Sequence, residues 1–100
     1  MSYFIYILYS SKGDKYYIGY SPNPVKRLSE HNSYENKTKF TAKYQPWEMK
    51  AYFKVSTTRG EAIKVERFIK KQKSRRFLEL LISHHKEDVF LENLILKAKG

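Results

Sequence analysis

The hydrophobic pattern of the chain begins with a nearly unbroken apolar and aromatic run from Tyr3 to Ser10. Such a run of β-forming residues is typical of an inner strand that is covered on both faces. Residues 11–14 have the composition of a turn, and the stretch from Lys15 to Tyr20 is a second run of β-formers. The pattern therefore predicts a β-hairpin at the start of the chain.

The length of the turn sets the expected pairing of the two strands. If the turn residues close the hairpin symmetrically, Tyr6 lies opposite Gly19 and Leu8 lies opposite Tyr17. Because alternate residues of a strand point to opposite faces, all of these residues would share one face of the sheet. A shift of one residue would send one tyrosine to the other face, so the register is an assumption that the structure must test.

A short helix is expected after the hairpin. Asn23 is a favourable N-cap, and Pro24 is a favourable first helical residue. The helix would run to about Asn32, with Val25 and Leu28 facing the core.

The middle of the chain predicts a loop followed by a third strand. The segment from Ser33 to Gln45 is polar and rich in lysine, which indicates a long basic loop of the kind that is usually functional or mobile. After Pro46, apolar and polar residues alternate from Trp47 to Val55, as in a half-exposed strand. The residues expected on its apolar face are Trp47, Met49, Ala51, Phe53 and Val55.

A second helix is predicted from Thr58 onward, because Thr58 and Glu61 have the spacing of a capping box. Its apolar stripe consists of Ala62, Val65 and Ile69. Glu66 falls inside this stripe, where a carboxylate needs a partner or a place at the rim of a cleft. This glutamate is the one acidic residue of the chain that breaks its local pattern.

Two further helical segments are expected, from Phe77 to Ile82 and from Val89 to Leu96. The order β-β-α-β-α-α predicts an α+β fold, in which a small three-stranded antiparallel sheet is flanked by helices. We expect a single domain over residues 1–100, with basic C-terminal helices from about residue 67 onward. The apolar residues of the last segment fit a homodimer contact or a core helix equally well, so the expected state is a monomer or a weak homodimer.

The formal net charge of +10 over 100 residues is the strongest signal in the composition. Such an excess favours binding to a polyanion, since each neutralised phosphate releases condensed counterions. Nucleic acid is the commonest such partner, although a membrane surface or a ribosome would also satisfy the charge. The chain has no cysteine, which excludes a cysteine-ligated zinc site, and no apolar run long enough to span a bilayer, so we expect a cytoplasmic protein without membrane association.

The basic residues expected to contact nucleic acid lie in the first helix, in the loop after it, and in the stretch that follows Glu66. They are Lys26, Lys37, Lys39, Lys43, Lys70, Lys71, Lys73, Arg75 and Arg76. From Arg67 to Arg76 no acidic residue interrupts the basic ones, which makes this stretch the densest part of the predicted surface.

The residues that could carry chemistry are two phenols, a cation, an imidazole and a carboxylate. They are Tyr6, Tyr17, Arg27, His31 and Glu66. This set suits phosphodiester hydrolysis: Glu66 would hold a divalent ion, Arg27 would bind the developing charge, and a phenol or His31 would accept a proton from water. Each residue taken singly also fits a structural role, as a core tyrosine, a solvated helix residue or a partner of a nearby lysine.

Several motifs in order strengthen the chemical interpretation. Phe4-Ile5-Tyr6 lies in the first strand, and Tyr17-Ile18-Gly19 lies in the second. The first helix supplies Arg27, three intervening residues and His31-Asn32, and Glu66 follows in a helix after the third strand. In this order the motifs resemble those of the GIY-YIG nuclease family, and over about residues 3–95 the chain is similar to its short single-domain branch.

The resemblance implies a DNA endonuclease that depends on Mg²⁺ or Mn²⁺. By analogy, Tyr6 and Tyr17 would position or activate the water, with Tyr17 favoured as the general base. Arg27 and His31 would contact the scissile phosphate, and Glu66 would hold the metal.

Two positions depart from the family pattern. Phe4 replaces a glycine of the first motif, and we expect its side chain to point away from Tyr6, so that only packing changes. Several nuclease members also carry an asparagine in a helix after the glutamate. Leu78 and Leu81 occupy the corresponding span here, and the next asparagine is Asn93.

The leading hypothesis is therefore a DNA endonuclease that is structure-selective or weakly sequence-specific. It would act on branched or damaged DNA in repair or recombination, with a partner protein as one means of targeting. The alternative is a non-catalytic nucleic-acid-binding module with a basic surface and exposed aromatic residues. A third hypothesis is a basic adaptor that binds a protein through its C-terminal helices. Glu66 favours the nuclease, because neither alternative needs a carboxylate there.

Overall fold

The computed structural model describes residues 1–33 and 39–100, with side chains described from residue 41 onward in the second range. Its elements are β1 (Tyr3–Ser10), β2 (Lys15–Ser21), α1 (Pro24–His31), α2 (Lys39–Lys43), β3 (Glu48–Ser56), α3 (Arg59–Lys71), α4 (Arg75–Ser83) and α5 (Asp88–Lys99). The three strands form one antiparallel sheet in the order β2-β1-β3, and helices flank it. The expected α+β fold is confirmed, although the observed order, β-β-α-α-β-α-α-α, has one helix more on each side of β3 than the predicted order.

The central strand β1 contributes to a core on each face of the sheet. Ile5 and Ile7 pack in the larger core, which the helices α3, α4 and α5 complete. Tyr6 and Leu8 point the other way into a smaller core that contains Trp47. Burial on both faces explains why β1 is almost entirely apolar and aromatic in sequence.

The predicted register of the hairpin is confirmed. Tyr6 pairs with Gly19 and Leu8 pairs with Tyr17. Tyr17 packs against the smaller core together with Tyr6 and Leu8, so the two tyrosines share a face. The hairpin register that places Tyr6 and Tyr17 on one face is therefore the predicted one.

The expected single apolar face of β3 is wrong. Ile7 of β1 pairs with Ala51, but the next residue, Leu8, pairs with Met49, so β3 carries an extra residue at this point. Such an irregularity reverses the alternation of side chains beyond it. Trp47 and Met49 consequently pack on the Tyr6 side of the sheet, while the larger core on the other side receives Ala51, Phe53 and Val55.

Helix α1 presents a different side to the core than its sequence suggested. Val25, expected to face inward, is 63% exposed, and the buried residues of the helix are Pro24 and His31. These two are seven positions apart, which is about two turns, so they lie on one side of the helix. Leu28 lies between them and packs against the smaller core as expected. Val25 follows Pro24 directly and points about 100° away from it.

The expected direction of Phe4 is also wrong. Its ring contacts Tyr52 edge-on at 6.1 Å, and Tyr52 is the cross-strand partner of Tyr6. Residues two apart in a strand share a face, so Phe4 lies on the same side of β1 as Tyr6.

The segment predicted as a long loop contains the short helix α2, so the interpretation of Ser33–Gln45 as continuous loop is wrong for residues 39–43. Lys37, one of the predicted nucleic-acid contacts, lies outside the described residues, as does the side chain of Lys39. Gln45 ties the end of the segment to α1, because its side-chain amide donates to the carbonyl oxygens of His31 and Ser33.

The C-terminal helices occupy the predicted places and extend slightly beyond them. Thr58 caps α3 as predicted, with its side chain accepting a hydrogen bond from the backbone of Glu61. In α5, Leu91 and Leu94 are buried in the larger core, whereas Leu96 is exposed. The last apolar segment is therefore largely a core helix. None of the described helices is long and apolar enough to cross a membrane.

Candidate active site

Tyr6 and Gly19 form the floor of the candidate site. Tyr6 is fully buried, and its ring lies over the backbone of Gly19, its partner in the hairpin. A Cβ atom at Gly19 would lie 2.4 Å from the Tyr6 hydroxyl oxygen and 2.5 Å from the ring carbon that bears it. Glycine is therefore required here by close approach, since any side chain would occupy the place of the phenol.

His31 contacts both tyrosines from helix α1. Its Nε2 lies 3.1 Å from the Tyr6 hydroxyl oxygen, which is hydrogen-bond distance, and its ring centroid is 4.7 Å from that of Tyr17. The position of the helix explains this contact, because Asn23 caps its first turn and the buried side runs from Pro24 to His31. His31 itself is only 4% exposed.

The surroundings move the pKa values of Tyr6 and His31 in opposite directions. Burial raises the pKa of Tyr6 to about 12, although the Arg27 guanidinium acts against this shift. Burial, with the positive charge of Arg27, lowers the pKa of His31 below its usual value of 6.5. At neutral pH the site therefore contains a protonated phenol hydrogen-bonded to a neutral imidazole.

The titration of His31 is open to a direct test. Because its pKa is lower in the folded protein, the unfolded chain takes up a proton at this residue first as the pH falls below about 6.5. We expect the imidazole signal in NMR to titrate with a midpoint below 6.5, and the free energy of unfolding to decrease on acidification through that range.

Arg27→Gln is the matched variant for this titration, because it removes the second cause of the shift and leaves the burial in place. The NMR midpoint of His31 should then rise toward the usual value. A midpoint at or above 6.5 in the original protein would contradict the neutral imidazole.

Arg27 and Glu66 line one cavity of about 410 Å³ together with the two tyrosines. The cavity opens beside strand β2, and residues from β1, β2, α1 and α3 line it. Its lining includes Tyr6, Tyr17, Gly19, Arg27, Arg59 and Glu66. His31 lies behind Tyr6 and reaches this cavity through the Tyr6 hydroxyl group.

Arg27 is the cation at the cavity wall. A hydrogen bond with Tyr6 raises the pKa of its guanidinium, and Glu30 adds to this effect through an ion pair at 2.9 Å. The side chain is nevertheless 44% exposed, so it is available to an anion that enters the cavity. A planar guanidinium matches the geometry of a phosphate group.

Glu66 is the carboxylate of the cavity lining. The apolar residues that flank it in sequence, Ala62, Val65 and Ile69, are buried as predicted, while the Glu66 side chain keeps 15% of its surface exposed. Its Oε1 forms an ion pair with Lys70 Nζ, 3.1 Å away and one turn further along α3. The glutamate thus has both of the features expected of it, a charged partner and a place at the rim of a cleft.

The ligands available in the cavity suit a divalent ion that keeps most of its coordinated water. Within residues 1–33 and 39–100, no cluster of three or more histidine, aspartate or glutamate side chains could hold a metal. Glu66 alone would supply a protein ligand, which suits an ion such as Mg²⁺ that keeps several waters and takes phosphate oxygens. The pair with Lys70 leaves this role open, because the lysine is half exposed and can turn to solvent when an ion takes its place.

The structure separates the predicted nucleic-acid contacts into different groups. Lys26, Lys43, Lys71 and Arg76 are exposed. Lys70 is paired with Glu66, and Lys73 lies with it beside a second cavity.

Arg75, which was predicted to contact nucleic acid, is instead held in a contact with the hairpin turn. Its guanidinium binds both carboxylate oxygens of Asp14 in the hairpin turn and lies over the ring of Tyr16, 5.2 Å from the centroid. These contacts join the start of α4 to the turn between β1 and β2.

Arg59 is a cavity residue that the sequence reasoning missed. It begins α3, lines the same cavity as Glu66, and donates a hydrogen bond from Nε to the Tyr20 hydroxyl at 3.1 Å. Arg59 and Glu66 are seven positions apart, or about two turns, and therefore lie on one side of the helix. That spacing was the available signal, but it did not stand out among the 20 lysines and arginines of the chain.

The helix after Glu66 supplies no asparagine to this cavity. Leu81 is buried in the larger core, and Leu78 packs against it. Asn93 lines a separate apolar cavity with Phe77 and Phe90. The side chains that the sequence placed in the corresponding span are thus core residues.

Comparison with protein families gives one match. The sequence model of the GIY-YIG catalytic domain matches residues 2–79, which include every residue of the cavity described above. None of the curated proteins compared with the chain matches it.

Proposed function

This chain belongs to the GIY-YIG family, and we propose that it is a DNA endonuclease that uses Mg²⁺ or Mn²⁺. GIY-YIG domains are typically nucleases, and these nucleases generally use divalent metals. The observation that carries the proposal is the single cavity around which four elements place Tyr6, Tyr17, Arg27 and Glu66. The substrate we propose is DNA with a branch or a lesion, cut during repair or recombination.

The reaction would be the attack of water on a backbone phosphorus atom. A bond forms between the water oxygen and phosphorus, and the bond from phosphorus to one ester oxygen breaks. Arg27 would bind the equatorial oxygens, on which negative charge develops in the transition state. The divalent ion, held by Glu66, would polarise the phosphate and stabilise the leaving oxygen.

The proton of the attacking water would pass through Tyr6 to His31. The Tyr6 hydroxyl donates to His31 Nε2 when the imidazole carries its proton on Nδ1, so the phenol can release its proton to Nε2 as it accepts one from water. The pKa of Tyr6, about 12, makes a free phenolate rare at neutral pH. The relay does not require one, because the phenol gives up its proton to Nε2 as it takes one from water. Tyr17, which was favoured from the sequence as the base, would instead orient the water beside the imidazole.

A non-catalytic nucleic-acid-binding module remains the second candidate. Two features favour it: Glu66 is paired with Lys70, and the ring of Tyr52 is 46% exposed beside Phe4. An exposed tyrosine on a sheet, supported by a half-buried phenylalanine, can stack on a base.

One assay separates the two candidates. The protein is incubated with supercoiled plasmid, branched DNA and single-stranded DNA, with Mg²⁺ or Mn²⁺ and with a chelator, and binding is measured on the same DNA without metal. Metal-dependent cutting supports the endonuclease. Salt-sensitive binding without cutting of any of these substrates supports the binding module and overturns the proposal.

A further inference from the structure

A second cavity, of about 320 Å³, lies beside the candidate active site. It is formed by the first half of β2, the last turn of α3 and the start of α4. Its lining includes Lys15, Tyr16, Lys70 and Lys73.

The charge of this second cavity is strongly positive. Lys15, Lys70 and Lys73 contribute three ammonium groups to its lining. Asp14 is the acidic residue of the lining, and the guanidinium of Arg75 binds both of its carboxylate oxygens. Lys70 is paired with Glu66, so Lys15 and Lys73 supply the positive charge that the lining does not cancel, and a phosphate is the kind of group that such a cavity attracts.

The two cavities lie along one groove, because the same two elements line both of them. On β2, Tyr20 lines the first cavity and Tyr16 lines the second, four residues or about 13 Å along the same face of the strand. On α3, Glu66 lines the first and Lys70 the second, four residues or about 6 Å along the helix, and Lys73 follows just after the helix ends. Two independent elements thus lead from the first cavity to the second.

We infer that the second cavity binds a phosphate of the same DNA strand whose other phosphate lies between Arg27 and Glu66. The strand would then run along the groove between β2 and α3, with its backbone toward Lys15 and Lys73. This inference rests on the proposed function, since it concerns how the proposed substrate is held. It gives Lys15, which the sequence did not single out, a part in binding.

The test uses DNA in which single phosphates are made neutral. Methylphosphonates are placed one at a time along the strand of the DNA that the wild-type protein binds, and affinity is measured by fluorescence anisotropy without metal, so that nothing is cut. The variant is Lys15→Gln with Lys73→Gln. The matched control is Lys64→Gln with Lys86→Gln, which removes the same charge at two other exposed lysines that line neither cavity. Lys70 is left unchanged, because it contacts Glu66.

We expect two positions of the strand at which a neutral phosphate weakens binding by wild type, one at the cut and one a few nucleotides away. The second position should cost about threefold to tenfold in affinity, as exposed phosphate contacts do. In the Lys15/Lys73 variant the penalty at that second position disappears, while in the control variant it persists.

A wild-type profile without a second sensitive position overturns the inference, and so does a penalty that survives in the Lys15/Lys73 variant. Either result leaves the proposed nuclease activity intact. Absence of binding to any DNA at low salt overturns the proposed function itself, so the two failures are distinguishable.

Discussion

Glu66→Gln is expected to abolish most of the cleavage while DNA binding remains. The amide is nearly isosteric with the carboxylate but is neutral, so it would hold a divalent ion poorly in the cavity that Arg27 also lines. Loss of this electrostatic stabilisation should reduce the single-turnover rate by about 100-fold to 1000-fold. The measurement is the rate of strand cutting at saturating metal, with affinity for uncut DNA determined in parallel.

Glu79→Gln is the matched control for this change, because Glu79 is an exposed carboxylate on α4 outside the cavity lining. Its cleavage rate should stay near that of the wild type. Equal rates in the Glu66 variant and the wild type would contradict the assignment of the metal ligand. A loss of DNA binding in the Glu66 variant would point to a structural role in its place.

Gly19→Ala is expected to damage both stability and activity. The added Cβ would lie 2.4 Å from the Tyr6 hydroxyl oxygen, so the fully buried Tyr6 ring or the backbone of β2 would have to shift. Overpacking of this kind costs about 1–3 kcal/mol in the free energy of unfolding. A displacement of the phenol by about 1 Å would also slow cleavage by about 100-fold. Chemical denaturation and single-turnover rates measure the two effects.

The chain offers a matched control in Gly60→Ala. Gly60 lies in α3, and a Cβ atom there would meet nothing within 4 Å. Replacing an unhindered helical glycine by alanine stabilises by about 0.5–1 kcal/mol, so this variant should be as stable as wild type or slightly more so. If Gly19→Ala behaved like Gly60→Ala, the close contact between Tyr6 and Gly19 would be refuted.

The hairpin could be predicted from sequence because local chemistry determines it. A turn of known length between two β-forming runs leaves one symmetric register, and that register puts Tyr6 opposite Gly19. The spacing of Arg27 and His31 likewise follows from the helical repeat alone. These positions are the part of the candidate site that the sequence contains.

Other features depend on contacts between distant residues and could not be predicted in this way. The extra residue in β3 shows no local signature, yet it moves Trp47 to the side of the sheet that carries Tyr6. The exposure of Val25 results from the docking of α1 through Pro24 and His31. The seven-residue spacing puts Arg59 on the same side of α3 as Glu66, but its entry into the cavity also requires the packing of α3 on the sheet, which is a contact between distant parts of the chain.

The central claim is that Arg27 and Glu66 act on one phosphate in one cavity, and a double-variant cycle tests it most directly. Single-turnover cleavage is measured for Arg27→Ala, for Glu66→Ala and for the protein that carries both changes. Groups that act as a unit show losses that do not add, so the double variant should be about as slow as the slower single variant. Rate losses that simply multiply would show that the two residues act independently, and would contradict the claim.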